Sequence, residues 1–391
     1  MSQPAKANSA PRTLQDKLGA ILAAPLGRPD GAEDLLAQVA RLPVLVDEPP
    51  LQAARTALRN LAAAGLLRHA VMQPGQARVS VATLCLLRSA LGYVSPLYDL
   101  MFAMQGLGSY GAMASGSAPD GFAAGVTAGE IICGIGLTEP GAGSDVSQIA
   151  TRAVPSEGGG YVVDGDKVFI SNAGVATHLV LYARTDDHPK KGLTAFLLPM
   201  NTPGVEVEPM QLLCDDHVIG RVQLRGVRLP AELRLGAEGQ GMSLAMQTLE
   251  LFRPTVGAAA VGMARRALDE ALEYTQWRQQ FGQQLSAMQA TQLSLAEMAT
   301  DCEAAALLVQ RAAQLAESGQ PLGSASSMAK LFATEAAQRV VDRAVQLGGG
   351  QALVRGHVLE RLYRDVRALR IYEGTSEIQK LIISRHLLRG S

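Results

Sequence analysis

The spacing of apolar residues divides the chain into three stretches. Over residues 14–128 apolar positions recur at helical spacing, as in Ala53-Ala54-Arg55-Thr56-Ala57-Leu58-Arg59-Asn60-Leu61, which predicts amphipathic helices. Pro49-Pro50 and Pro74-Gly75 cut this stretch into several pieces. The N-terminal end, with Pro4, Pro11 and Gly27-Arg28-Pro29, is expected to be mobile. Between residues 132 and 241 the period shortens. Tyr161-Val162-Val163, Asp164-Gly165 and Lys167-Val168-Phe169-Ile170 read as two strands about a tight turn. Apolar runs at 179–182, 193–198 and 222–224 add further strands. The helical pattern then returns in long segments at 256–277, 291–317 and 324–347, with stops at Gly319-Gln320-Pro321 and Gly348-Gly349-Gly350. Long helices on short connections predict an up-and-down bundle. The expected organisation is therefore an N-terminal helical domain (1–131), a middle β domain (132–241) and a C-terminal helical bundle (242–391).

Composition sharpens this picture mainly by exclusion. The 391 residues exceed what one core normally holds. A formal net charge of -1 leaves no electrostatic footprint for nucleic acid or an anionic membrane. Cys85, Cys133, Cys214 and Cys302 form no CxxC pair, and the six histidines are scattered; buried thiols are expected and a metal site is not. No stretch of about 18 apolar residues suggests a membrane helix, and the N-terminus has no apolar core of signal-peptide type. A cytoplasmic location is expected, with an organelle transit peptide as the weaker alternative.

Candidate chemistry sits in two short stretches. Leu137-Thr138-Glu139-Pro140-Gly141-Ala142-Gly143-Ser144-Asp145 combines small residues with hydroxyls, a composition that lets backbone N–H groups approach polar ligand atoms. A bland polar loop explains it as well. No GxGxxG follows a strand, so a Rossmann site is not indicated. The second stretch is Ile371-Tyr372-Glu373-Gly374-Thr375, where Glu373 alone would read as a solvated glutamate near a helix end.

Together with Gly165-Asp166-Lys167, Phe169-Ile170-Ser171-Asn172, Arg278-Gln279-Gln280-Phe281-Gly282, Gln289, and Gln346-Leu347-Gly348-Gly349-Gly350, these stretches resemble the acyl-CoA dehydrogenase family. The matching motifs run in the family's order over residues 132–385. The resemblance implies helical, β and four-helix-bundle domains, a homotetramer or at least a dimer, FAD at a subunit interface, and electrons passed to an electron-transferring flavoprotein. It implies α,β-dehydrogenation of an acyl-CoA thioester, with Glu373 as the base. Some relatives carry the base at the start of the bundle, a position that aligns here with Phe252.

By the same resemblance, Leu137, Thr138, Gly143, Ser144, Phe169 and Ser171 meet the flavin. Arg278 and Phe281 of a neighbouring subunit meet its pyrophosphate and adenine side, with Gln289, Gln346 and Gly350 nearby. Thr375 and Glu377 complete the pocket. Ser144, Glu250, Arg253, Gly374 and Arg385 stand where relatives contact the substrate, although Glu250 and Arg253 are also spaced for an ion pair on one helix face. The family often has Trp where Phe169 stands, and the N-terminal domain is the least typical part. A dicarboxylyl substrate would call for a cation in the acyl cavity, for which Arg68 and Arg88 are the candidates. An acyl-CoA oxidase, a desulfinase-like relative or a non-catalytic acyl-CoA-binding homologue are the competing readings.

Overall fold

The computed structural model describes residues 13–19, 29–45, 48–188, 191–214 and 217–389. Of the N-terminal stretch expected to be mobile, residues 13–19 and Pro29 are described, and Leu14–Gly19 is helical there; the rest lies outside the described residues. Among the described residues the first part of the chain has six α-helices: α1 (Leu14–Gly19), α2 (Ala32–Ala40), α3 (Pro50–Ala63), α4 (Val81–Val94), α5 (Pro96–Ala114) and α6 (Phe122–Ala128). The prolines act as starts here, with Pro50 and Pro96 in the first turns of α3 and α5, where the missing N–H has no partner to lose. Ser80 caps α4, its Oγ accepting from Thr83 N at 3.1 Å.

Eight strands follow: β1 (Cys133–Gly136), β2 (Arg152–Pro155), β3 (Tyr161–Ser171), β4 (His178–Arg184), β5 (Leu193–Pro199), β6 (Val205–Met210), β7 (Ile219–Leu229) and β8 (Arg234–Leu235). They form one sheet in the order β6-β7-β3-β2-β4-β5-β8, with β1 added parallel to β4. The two strands expected about Asp164-Gly165 are instead one, β3. It runs on through these residues, with register shifts against β7 at Val163/Gly165 and Lys167/Ile170. Gly165 is needed for packing, not turning: a Cβ there would lie 2.2 Å from Thr151 Oγ1.

Beyond the sheet come α7 (Gly241–Trp277), the small hairpin β9 (Gln279–Gln280) and β10 (Gln283–Gln284), α8 (Gln289–Glu317), α9 (Ala325–Gly348), α10 (Val358–Leu369) and α11 (Ser376–Leu388). Helix α7 begins well before the expected residue 256, because it passes through Pro254 without ending. The bundle core is mostly alanine and valine, including Ala260, Ala267, Ala329, Ala337, Val340 and Val341, and small side chains let helix axes approach closely. The N-terminal helices join this bundle through α4 and α7. At their crossing a Cβ on Gly262 would lie 2.0 Å from Ser89 O, and one on Gly92 would lie 2.8 Å from Ala259 O. Backbone meets backbone there, so no side chain can step aside.

Gly262→Ala should therefore lower stability by about 1–3 kcal/mol, the range for overpacking a filled core. Chemical denaturation checks this, and an unchanged midpoint would show that the crossing is not so tight.

Candidate active site

The glycine-rich loop leaves β1 and is fixed from within. Glu139 and Ala142 exchange backbone hydrogen bonds of 3.0 and 3.1 Å, and Val168 N donates to Thr138 O at 2.9 Å. The Glu139 carboxylate accepts from Ala150 N (2.6 Å), Thr151 N (3.0 Å) and Lys167 Nζ (2.7 Å). Lys167, fully buried on β3, also donates to Leu137 O at 3.3 Å and Tyr182 O at 2.7 Å. Burial pulls the Lys167 ammonium down to about 8 while Glu139 resists the shift. For Glu139 burial pushes upward, yet Lys167 and the N–H donors leave its carboxyl below the ordinary value. The loop is thus stapled at residue 139, while its glycines face open space: a Cβ on Gly141 or Gly143 would touch nothing.

Beside the loop, Phe169 is 56% exposed and has φ 57°. An aromatic residue in the left-handed region is strained, and such strain gathers at functional sites. Asn172 shares this conformation at φ 65° and is held by its Nδ2 donating to Cys133 O at 3.0 Å.

The second stretch forms the turn between α10 and α11. Glu373 has φ 52° and Gly374 φ 93°, so two consecutive residues are left-handed. Gln379 Nε2 donates to Glu373 O at 3.2 Å and to Gly374 O at 2.9 Å. Lys330 Nζ reaches the same Gly374 carbonyl at 2.7 Å. Thr375 Oγ1 accepts from Ile378 N at 3.4 Å and caps α11. Within this frame the Glu373 Oε2 atom is buried and has no hydrogen-bond partner. Desolvation raises its pKa above the ordinary value; Arg88, Lys330 and Arg253 oppose that rise and Asp99 adds to it.

Loop and turn face each other across a cavity of about 550 Å³. Thr138, Gly143, Ser144, Phe169 and Ser171 line one side, and Tyr372, Glu373 and Gly374 another. Helix α5 contributes Leu100, Ala103, Met104 and Leu107, and α7 contributes Met242, Met246, Leu249 and Arg253. The result is an apolar chamber with one unsatisfied carboxylate, and hydroxyls across from it. Phe252 is buried against Tyr110, with ring centroids 5.8 Å apart edge to face, and offers no second base.

The chain is similar to known proteins over its middle and C-terminal parts. Residues 134–227 match the family model for the acyl-CoA dehydrogenase middle domain, and 239–388 that for the C-terminal domain. A short-chain specific acyl-CoA dehydrogenase from mitochondria of Rattus norvegicus is 41% identical over 267 residues, 68% of this chain and 65% of that protein. An acyl-CoA dehydrogenase of Bacillus subtilis is 38% identical over 269 residues, 68% of this chain and 71% of that one. The chain belongs to the acyl-CoA dehydrogenase family. Its fold agrees over a longer span: the structure of butyryl-CoA dehydrogenase from Megasphaera elsdenii superimposes with a TM-score of 0.85. That match has 29% identity and covers 93% of this chain and 100% of that one.

Within this chain, the motif residues fall into two groups. Leu137, Thr138, Gly143, Ser144, Phe169, Ser171, Arg253, Glu373 and Gly374 share the cavity. Arg278, Phe281, Gln289, Gln346 and Gly350 are exposed and do not line it. Phe281 is 94% exposed on the β9–β10 hairpin and again left-handed, at φ 51°. Thr375, Glu377, Glu250 and Arg385 also lie off the cavity wall. The Glu250–Arg253 ion pair is not made. Glu250 is exposed, whereas Arg253 turns inward, Nη1 3.5 Å from Ser326 Oγ, and its Nε is buried without a partner. Arg68 is exposed and off the wall, while Arg88 is on it. Sequence reasoning missed Asp99 and Lys330 as parts of the site, and read Gln379 only as the last residue of the Tyr372–Gln379 motif. The signal of Asp99 and Lys330 was slight: single charges between apolar neighbours on their helices.

Lys167→Met should destabilise the protein by about 3–5 kcal/mol, because it strands the buried Glu139 carboxylate. Thermal and denaturant melts check this; a wild-type midpoint would show that the N–H donors alone satisfy Glu139.

Proposed function

We propose that this protein is an FAD-dependent acyl-CoA dehydrogenase that converts an acyl-CoA thioester to the 2-enoyl-CoA, with Glu373 removing the α-proton. The observation that carries the reading is the partnerless Glu373 Oε2 in an apolar cavity. A carboxylate is a weak base toward a carbon acid in water. Desolvation strengthens it, and the resulting upward shift suits a general base. Phe252, at the other position where relatives carry the base, has no proton-accepting group.

No side chain accepts hydride, so a flavin must supply that function; FAD, when bound, takes the β-hydride. The residues fit such a group. Gly141 and Gly143 leave the loop backbone uncovered, the Thr138, Ser144 and Ser171 hydroxyls line the cavity, and the strained Phe169 ring stands beside them. Lys167 and Glu139 keep that loop in place, and the α5 side chains exclude water from the acyl end. Arg253 lines the cavity and, with Ser144 and Gly374, would hold the thioester side of the substrate.

The proposal extends to assembly and partner. The exposed residues Arg278, Phe281, Gln289, Gln346 and Gly350 would meet the FAD of a neighbouring subunit in a homotetramer, with Thr375 and Glu377 completing its pocket; Glu250 and Arg385 would meet CoA. Exposed apolar side chains cluster in the same segments, Trp277 at 59%, Leu353 at 68% and Val354 at 60%, and exposed apolar patches mark interaction surfaces. An electron-transferring flavoprotein would take the electrons. The site lies where the divisions 1–131, 132–241 and 242–391 converge.

Anaerobic titration of the holoprotein with a panel of acyl-CoA thioesters should bleach the oxidised flavin band. Glu373→Gln should still bind the best thioester but reduce its flavin about 100-fold more slowly or worse, the scale of a lost general base. Normal bleaching by that variant would refute the assignment. Since burial raises the Glu373 pKa, reduction should also fail as pH falls, with a midpoint above the ordinary carboxylate value. A limb at or below that value would show that the base is not desolvated.

A further inference from the structure

Two buried donors share the carbonyl of Gly374, and they differ in charge. Gln379 Nε2 lies 2.9 Å from it and also bonds Glu373 O at 3.2 Å, so an amide alone can hold the turn. Lys330, on α9, adds an ammonium at 2.7 Å. Its side chain is fully buried and is absent from the cavity wall. Burying an ammonium is far costlier than burying an amide. A hydrogen bond to one already-satisfied carbonyl is a poor reason to place a charge there.

The groups around the turn supply a better reason. Glu373 feels five: Arg88 on α4, Lys330 on α9, Arg253 on α7, Asp99 on α5 and the preceding Tyr372. Arg88 lowers the Glu373 pKa most, but it is tied to Asp99, Nε and Nη2 each 2.8 Å from a carboxylate oxygen, and Asp99 partly opposes it. Arg253 stands on the cavity wall, where a substrate would compete for it. Lys330 alone among these cations is screened from substrate by the turn and has no hydrogen-bonded carboxylate. Burial draws its ammonium down to about 8; Glu373 pulls it back up, Arg253 lowers it, and Glu335 and Glu377 raise it.

We propose that Lys330 is a positioning residue for the base. By donating to Gly374 O from outside the cavity it holds the left-handed Glu373–Gly374 turn, and it sets a positive charge near the Glu373 carboxylate. The base can then be anionic inside an apolar chamber before any substrate arrives. Lys330 takes no proton from the substrate and touches none of it. The inference rests on Glu373 being the base, and the two can fail separately.

The test compares FAD-loaded wild type, Lys330→Gln, Lys330→Arg and Glu373→Gln. Lys330→Gln keeps a donor but drops the charge; Lys330→Arg keeps the charge. The pH at which Glu373 ionises is read from the protonated-carboxyl stretch in infrared difference spectra against Glu373→Gln, with no substrate present. In parallel, single-turnover flavin reduction by butyryl-CoA, or by the best thioester of the panel, is followed against pH. Losing a nearby positive charge favours the protonated acid. Lys330→Gln should therefore move the ionisation midpoint and the acid limb of reduction upward by about one pH unit or more, and Lys330→Arg should restore both. A wild-type titration in Lys330→Gln, or equal shifts in the Gln and Arg variants, overturns the proposal. Should Lys330→Gln not fold, Lys330→Arg decides: an acid limb at the wild-type position supports the role of charge, and a displaced limb overturns it. Unimpaired reduction by Glu373→Gln would instead remove the base assignment itself.

Discussion

Keeping one carboxylate oxygen buried and without a partner, on a group still able to ionise, is the constraint that organises this molecule. Glu373 Oε2 has no hydrogen-bond partner, and an isolated carboxylate in an apolar interior takes up a proton rather than stay charged. The chain answers with cations from three helices. Arg88 comes from α4, Arg253 from α7 and Lys330 from α9, while Asp99 on α5 opposes them. No one helix could supply this set, because side chains on one face diverge from a common point. The turn also has to be left-handed at two positions, and the donors Lys330 and Gln379 overdetermine that conformation.

This arrangement requires the N-terminal helices and the bundle to meet at backbone distance. Arg88 donates through Nη1 to Thr255 Oγ1 at 2.9 Å, spanning α4 and α7. That reach depends on the crossing one turn away, where Gly92 and Gly262 replace side chains with backbone contact. The alanine-rich core of the bundle has the same origin. Small side chains contribute less apolar burial each, but they bring α7 and α9 close enough for Arg253 and Lys330 to approach one carboxylate.

The sequence made the gross pattern legible because helix and strand periods differ and each stretch keeps its own. It failed where local punctuation was overridden. Asp164-Gly165 looks like a hairpin turn, but the glycine is there to clear Thr151 while β3 runs on. Pro254 does not end α7 either, since the helix passes through it. The Glu373 turn and the glycine-rich loop were legible as motifs, the turn because its left-handed backbone favours glycine at Gly374. The supporting charges were not. Arg88, Asp99 and Lys330 are ordinary helical residues until packing shows what surrounds them. Phe281 and Arg278 are the opposite case, motif residues whose surroundings in a single chain are solvent.

Arg88 illustrates why a residue's identity does not disclose its use. A lone arginine on the wall of an acyl cavity would suit a substrate ending in a carboxylate. Here its Nε and Nη2 already hold both oxygens of Asp99, and its Nη1 holds Thr255. Asp99 strengthens the hold of the proton on Arg88, outweighing the downward pull of burial. A second carboxylate would find this bidentate face taken and Asp99 repelling it, and removing Asp99 to admit it would break a buried ion pair. The same pair costs the base little, because the arginine's remaining field still favours the Glu373 anion. Arg88 is thus better suited to the charge frame around Glu373 than to recognising a ligand carboxylate, and the α5 side of the cavity is otherwise lined by the apolar Leu100, Ala103, Met104 and Leu107.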